Sequence, residues 1–388
     1  MLQKVNGFLS SDIFKILIIF LGWKLFLIGV LLFAIQNVSL GYSDRFLGGG
    51  PINYHIAPEV FSWANFDGEH YLSISIHGYK FLEQAFFPVY PMLISFFAQP
   101  FSQDSFSTLL FSAISGLMIS NVAFFFALLF LFELIREDFS KRIAFLTIII
   151  LLVFPTSFYF GAVYNESLFL LLSVLSFYAA RKSKWWIAGI LGAISSATRI
   201  FGLILFPSIL LELWKKKNIA TLFWIFLIPS GLLLYMLYQW IYFGDPLLYY
   251  KLQKIVGEQH QSGLTLLPQV YFRYIKMIFT VDPSNPIYQT VILEFSLGIL
   301  FFILPIYGYF KKVRVSYIVY AMIGFLLPTI QGSFSSVPRY VIVFFPSFLV
   351  AALWMENKPK ILQLIILISS LIILFIETAL FLRGYWIA

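Results

Sequence analysis

Cysteine is absent from the 388-residue chain, and Asp, Glu, Lys and Arg together supply only 11% of it. Without thiols there is no disulfide and no thiolate metal site, and the redox compartment is left open. So little charge on so long a chain excludes the wet surface of a globular domain. What fills the sequence instead is apolar: 60% of residues are hydrophobic and the mean hydropathy is +0.89. No interior absorbs that much apolar surface, so the solvent is lipid. The apolar residues come in long runs, not short alternating segments, which leaves an all-α polytopic membrane protein rather than a β-barrel. Also missing are G-x-x-x-x-G-K-[ST], H-E-x-x-H and G-x-G-x-x-G segments, so nucleotide hydrolysis, zinc proteolysis and dinucleotide chemistry have no support.

The formal charge of +8 would suit a polyanion, but its placement argues otherwise. Many of the 26 Lys and Arg sit in clusters between apolar runs, at 136–142, 181–184, 215–217, 311–314 and 358–360. There they orient the chain, with the cytoplasm on their side, and no nucleic-acid partner is implied. The runs lie within 13–40, 109–134, 143–160, 166–180, 222–242, 287–310, 317–330, 340–354 and 361–382. Residues 1–36 lack a small-residue cleavage pattern, so the first run reads as a retained span. By the charge rule, 41–106, 155–166, 244–285 and 331–339 face outside.

One stretch strains this alternation. Trp185–Trp214 is basic at both ends, so both belong inside. As a straight helix it would reach about 45 Å, against a hydrocarbon core of about 30 Å. A broken or re-entrant pair turning near 195–199, with Arg199 at its tip, resolves the conflict. Residues 86–101, with Pro88, Pro91 and Pro100, read as an interfacial or re-entrant helix. The total is about ten spans, within a range of roughly nine to twelve, in a single domain over the whole chain.

Polarity concentrates on the outer side. The loop 63–91 carries Asp67, Glu69, His70, Tyr71, His77 and Lys80. A carboxylate there suits a general base, and equally a helix cap. The turn FPTSFYFGAVYNE brings Tyr164, Asn165 and Glu166 to the head of a span, where the helix dipole alone would favour the acid. Arg199 in SSATRIFG lies at membrane depth, where an anionic ligand or an ion pair would meet it. Arg339 and Tyr340 follow in SFSSVPRYVIVFFP, and a headgroup anchor is the alternative for that arginine. Two arginines on the outer side suggest a pocket for a lipid-linked phosphate. Segment 244–285 adds Asp245, Gln253, His260 and tyrosines that stack on sugars or sit in the interfacial belt. A metal held by Asp67 and Glu69 is conceivable, but two carboxylates and two histidines seven residues apart do not make a site.

Read together, FDGEHYLSISIHGY, AFFPVYP, FPTSFYFGAVYNESLFLLLS, FYAARKSKWW, SATRIFG, YFGDPL and VPRYVIVFFP resemble, in order, the PIG-V family. These mannosyltransferases are named for the enzyme that adds the second mannose of the glycosylphosphatidylinositol anchor. The resemblance covers roughly residues 60–350, with Phe66 where the usual motif has Trp. It is to a prokaryotic-type member, so the acceptor does not carry over. The resemblance implies a GT-C glycosyltransferase, whose donor is a polyprenyl- or dolichyl-phosphate sugar and whose active-site acid lies in the first large external loop.

Carried onto this chain, Asp67 would be the base, with Glu69 and His70 in its shell. Arg199 and Arg339 would hold the donor phosphate, and Glu166 would bind sugar or acceptor; these three rest more on charge and location than on the family. Tyr71, Lys80, Tyr90, Tyr164, Asn165, Gln253 and Tyr340 complete the candidate binding residues. The expected partners are polyprenyl-phosphate mannose, a glycolipid or protein acceptor and the bilayer, with no cofactor beyond a conceivable divalent metal. The expected place is the plasma membrane of a bacterium or archaeon, active site outward. A lipid transporter or flippase is the competing class, and would explain broken helices but not an acidic cluster in an external loop. A non-catalytic assembly subunit would leave the outer polar motifs without a purpose.

Overall fold

A computed structural model describes residues 11–41, 51–216, 221–256, 265–283, 285 and 287–387. Lys217, of the 215–217 basic cluster, and His260 lie outside the described residues. The described residues are helical, with no strand among them. In chain order the helices are α1 (Asp12–Asn37), α2 (Pro51–Ile56), α3 (Pro58–Phe61), α4 (Asp67–His77), α5 (Val89–Ala98), α6 (Ser105–Arg136), α7 (Lys141–Leu152) and α8 (Glu166–Arg181). There follow α9 (Trp185–Thr198), α10 (Leu205–Lys216), α11 (Leu222–Ile225), α12 (Ser230–Phe243), α13 (Leu248–Val256) and α14 (Leu267–Thr280). The last are α15 (Ile287–Phe310), α16 (Val315–Thr329), α17 (Val337–Tyr340), α18 (Phe345–Glu356) and α19 (Lys360–Leu382).

Four of these, α1, α6, α15 and α19, are long and apolar enough to cross a membrane, and 337–343 with α18 makes a fifth candidate bent by 85°. At 1.5 Å per residue, α6 alone reaches about 48 Å, ample for a hydrocarbon core of about 30 Å. The other apolar sequence lies in shorter pieces, so the expectation of about ten spans meets four or five helices of spanning length among the described residues. Two runs expected as spans are interrupted. The run 143–160 stops being α-helix at Leu152, and 222–242 breaks at 226–229, ahead of α12.

The chain divides into two compact units that interleave in sequence. Unit 1 takes residues up to Ile76, Tyr90–Leu175 and Ala352–Trp386. Its helices start where the sequence supplies caps: Ser11 accepts from Phe14 N, Ser140 from Ile143 N, and Asp104 and Ser107 form a reciprocal capping box on α6. At one end Asp12 of α1 pairs with Lys141 and lies 3.8 Å from Arg136, and Arg142 lies 4.0 Å from Glu356. These clusters are those the charge rule assigns to one side. Further along, the segment 154–165 is buried throughout, its Phe160 stacked on Phe124 at 4.2 Å and its Ser157 accepting from Trp23 Nε1. That burial is why an apolar run leaves helical form there: it fills the core of the unit instead of facing lipid.

Unit 2 takes His77–Val89, Ser176–Ala351 and the last two residues. α9 meets α11, α12 and the turn between them along a seam of small residues. A Cβ on Gly189 would strike the Trp224 carbonyl, and one on Gly231 the Ala193 carbonyl, while Ser196 Oγ donates to Ile228 O at 2.6 Å. α9 stops at Thr198, Arg199 is extended (φ −155°, ψ 148°), and a 3₁₀ turn over Ile200–Ile204 leads into α10. Gly202 of that turn lies so close to the backbone of Ser195 and Ser196 that a Cβ would approach within 2.5 Å, so the chain doubles back on itself. The break expected from charge and length is present, with Arg199 at the corner. At the far end of α10, Glu212 accepts from Ser316 Oγ at 2.5 Å and pairs with Arg314 at 3.3 Å. The end of α10 thus sits among the basic 311–314 cluster.

Candidate active site

The polar motifs of the sequence assemble in each unit separately. In unit 1 the start of α4 is set by Asn65, which is 2% exposed. Its side-chain amide donates to Ser62 O at 3.0 Å and Phe381 O at 2.7 Å, and its carbonyl accepts from Tyr164 Oη at 2.8 Å. Phe66 follows in the left-handed region (φ 58°), its ring against Phe381 and Trp386. For a residue with a Cβ that conformation costs about 1–2 kcal/mol. The ring contacts and the anchored Asn65 hold it there. Asp67 then opens α4, where the helix dipole complements a carboxylate.

α4 seats closely on the second motif. Val163 N donates to Trp63 O at 2.9 Å, and a Cβ on Gly68 would come within 3.3 Å of Val163 O. The FDGEHY and AVYNE segments, about a hundred residues apart in sequence, are therefore neighbours. Tyr71 is buried edge-on to Tyr90 at 5.2 Å and to Tyr164 at 6.4 Å. Tyr90 Oη lies 2.8 Å from Ser120 Oγ, which donates to Tyr164 O at 3.0 Å. Tyr90 Oη also donates to Gly116 O at 3.0 Å, which ties α5 to α6. Asn165 and Glu166 are buried at the head of α8, where Asn165 O accepts from Phe169 N.

Asp67, Glu69 and His70 are half-buried. On a helix, residues two apart point about 200° apart and residues three or four apart share a face. Asp67, His70 and Tyr71 thus lie on one face of α4 and Glu69 on the other. Among the described residues no three His, Asp or Glu side chains gather as metal ligands would. Around this site, burial pushes the Tyr54 phenol above its ordinary range, and the Arg383 guanidinium rests 5.7 Å over its ring.

Unit 2 holds the arginines. Arg199 and Arg339 are each 7% exposed. Their guanidinium carbons both lie 5.7 Å from the centre of the Tyr340 ring, and Arg199 is also 5.5 Å from that of Phe201. Two residues 140 positions apart in sequence therefore share one aromatic surface, which carries buried cations by its negative face. Lys80 is exposed, its amide held by Glu83 at 2.7 Å, and Gln253 is half-buried on α13, which packs on the 83–85 turn. Asp245 caps a local turn instead of opening a site. Lys251 at 2.5 Å holds its carboxyl below the usual range, with Leu247 N adding to the effect.

Residues 52–222 match the profile of a family described as Mannosyltransferase (PIG-V). Over that stretch the chain is similar to the PIG-V family. The match takes in Asp67, Glu166 and Arg199; Arg339 and Tyr340 lie beyond it. No curated protein matches the sequence. Three crystal structures of the Archaeoglobus fulgidus oligosaccharyltransferase are similar in fold. The form with an acceptor peptide tethered to it superimposes with a TM-score of 0.53 at 13% identity, over 98% of this chain and 56% of that one. The complex with zinc and sulfate gives 0.50 at 15% identity, over 94% and 53%. The apo form gives 0.50 at 14% identity, over 98% and 57%. The chain spans a little over half the length of that enzyme, and the likeness shows the fold alone.

Asn65 and the Tyr90–Ser120–Tyr164 chain were not marked as a unit by the sequence. An Asn ahead of Phe-Asp-Gly is a cap signal, but its partner at Phe381 is remote and leaves no local trace.

Proposed function

We propose that the chain is an integral-membrane glycosyltransferase that moves mannose, or a related hexose, from a polyprenyl- or dolichyl-phosphate sugar to a lipid- or protein-linked acceptor on the outer face. The observation that carries this reading is the convergence of Arg199 and Arg339 on the Tyr340 ring, both buried. Two guanidinium groups on one ring bring together planar donor forks of the kind that bind phosphate by bidentate hydrogen bonds. The PIG-V match and the fold likeness support the same reaction class.

In the proposed step the acceptor hydroxyl oxygen attacks C1 of the sugar while Asp67 takes its proton. The C1–O bond to phosphate breaks, and its electron pair leaves with the polyprenyl phosphate. The arginines meet that growing charge, so no strong acid is needed at the leaving oxygen. A single displacement inverts the anomeric centre. Glu166 and Asn165 are the proposed holders of sugar or acceptor, with Tyr71 and Tyr164 packed as the buried support of α4. His70, on the Asp67 face of α4, is its proposed neighbour in the site.

The test uses membranes containing the chain and radiolabelled polyprenyl-phosphate mannose. Label passes to a new glycolipid or glycopeptide with the wild type and stays on the carrier with Asp67→Asn. Full transfer by Asp67→Asn would remove the base role. A transporter would carry the lipid across without moving label in any variant.

A further inference from the structure

The acidic residue most enclosed by unit 2's outer turn is Glu294, 5% exposed, a third of the way along the apolar α15. A carboxylate there needs hydrogen-bond donors. Tyr274 Oη of α14 donates to its Oε2 at 2.5 Å, and the Ser336 amide to its Oε1 at 3.3 Å. These partners are a phenol and a backbone amide, not a cation. Burial, with the carboxylate second, keeps the Tyr274 hydroxyl protonated and therefore a donor.

Both partners lead to Arg339. Ser336 is in the left-handed region (φ 61°), immediately ahead of α17, and its carbonyl accepts from Arg339 N at 3.1 Å and Tyr340 N at 2.9 Å. Without a glycine, that turn is held against its own preference. The Glu294 side chain aimed at its amide supplies the acceptor that the turn's own backbone does not. Tyr274 Oη also accepts from Phe334 N at 3.2 Å. Packing against this segment is already in place: the Phe334 ring lies on Tyr274 and Tyr271 and fits the notch left by Gly298, and Arg273 donates to Gly332 O. The Glu294 side chain is thus not required to fill space. It is directed at the one strained residue of the turn.

We propose that Glu294, assisted by Tyr274, is a positioning residue that fixes the turn carrying Arg339 and Tyr340, and so sets the donor-phosphate site. The inference rests on the donor reading above, in which Arg339 holds phosphate.

Since the chain has no cysteine, Ser335→Cys gives a single thiol beside the turn whose maleimide labelling reports its mobility without any activity. Glu294→Ala and Tyr274→Phe are compared in that background and, without the thiol, in the transfer assay. Glu294→Ala is expected to raise the labelling rate severalfold and the donor KM about tenfold, the loss typical of one hydrogen bond to a charged group. Tyr274→Phe, which keeps the ring and the packing, should do the same more weakly, and Glu294→Gln should restore part of the donor KM. In an Arg339→Ala background, Glu294→Ala should change the donor KM less than about twofold, as expected of two residues acting as one unit.

Unchanged labelling together with an unchanged donor KM in the folded Tyr274→Phe and Glu294→Ala proteins overturns the proposal. So does a fall in kcat that adds to that of Arg339→Ala, because that is the mark of a merely structural residue. If labelling rises but Arg339→Ala leaves the donor KM at the wild-type value, the turn is positioned as proposed and the donor reading is what fails.

Discussion

Unit 1 and unit 2 keep their reactive charges under opposite conditions. In unit 1 the acid, Asp67, is half-buried at the first residue of a helix, and the scaffold beneath it is made of neutral hydrogen bonds: Asn65 to Phe381, Tyr164 to Asn65, Ser120 to Tyr164. In unit 2 the cations, Arg199 and Arg339, are more than nine-tenths buried against an aromatic ring. The two jobs of the proposed function demand this. A group that takes a proton must exchange with an incoming hydroxyl, whereas a group that stabilises a leaving phosphate acts most strongly where water is scarce. The contrast can be broken from either side.

The largest effect belongs to unit 1. Asp67→Asn should lower kcat by about 10²–10⁴-fold and leave donor binding nearly intact, measured as label transfer and as donor KM. In unit 2 the pattern reverses. Arg199→Ala or Arg339→Ala should raise the donor KM about tenfold or more, with lysine a poor substitute because it offers no planar fork. If Asp67→Asn changed KM and the arginine variants changed only kcat, the assignment of roles would be the wrong way round.

How much of this was legible in the sequence depends on how local each cause is. The break at Arg199 could be read from length and charge alone, because a 30-residue run basic at both ends has few other solutions. The convergence of FDGEHY with AVYNE, and of Arg199 with Arg339, was only suggested by residue type. Which residues hold those groups was not legible: Asn65 depends on Phe381, and the Ser336 turn depends on Glu294, partners that sequence spacing does not pair. The apolar run 143–160 reads as one span because hydropathy does not distinguish a lipid-facing helix from a buried segment. Only the packing of Phe160 on Phe124 shows which it is. The short motif 86–91 likewise hides a boundary, since Phe87 packs on Tyr235 and Tyr249 in unit 2 while Tyr90 belongs to unit 1.

Stability variants sharpen the comparison at smaller amplitude. In unit 2, Gly231→Ala drives a methyl into the Ala193 carbonyl of the α9–α12 seam, an overpacking that should cost about 1–3 kcal/mol in thermal unfolding. In unit 1, Asn65→Ala removes two donated hydrogen bonds, while the Phe381 carbonyl keeps Gly384 N, at about 1–3 kcal/mol. The two should differ in activity: Asn65→Ala lowers kcat because α4 carries Asp67, whereas Gly231→Ala lowers the unfolding temperature first.

The smallest effect is expected at the head of α6, where unit 1 uses a carboxylate for structure alone. Asp104 accepts from Ser107 N at 2.8 Å, and this bond holds its carboxyl below the ordinary range. A depressed carboxylate pKa stabilises the fold above the unfolded-state value, about 3.9, and the contribution fades as pH falls through the folded value. Asp104→Ala should therefore unfold at a slightly lower temperature than the wild type at pH 6, and the gap should close toward pH 3. It should leave transfer activity at pH 6 unchanged, since the residue caps a helix and touches none of the groups around Asp67. A gap that stayed constant down to pH 3 would mean that the cap's charge contributes nothing, and that its geometry alone starts the helix.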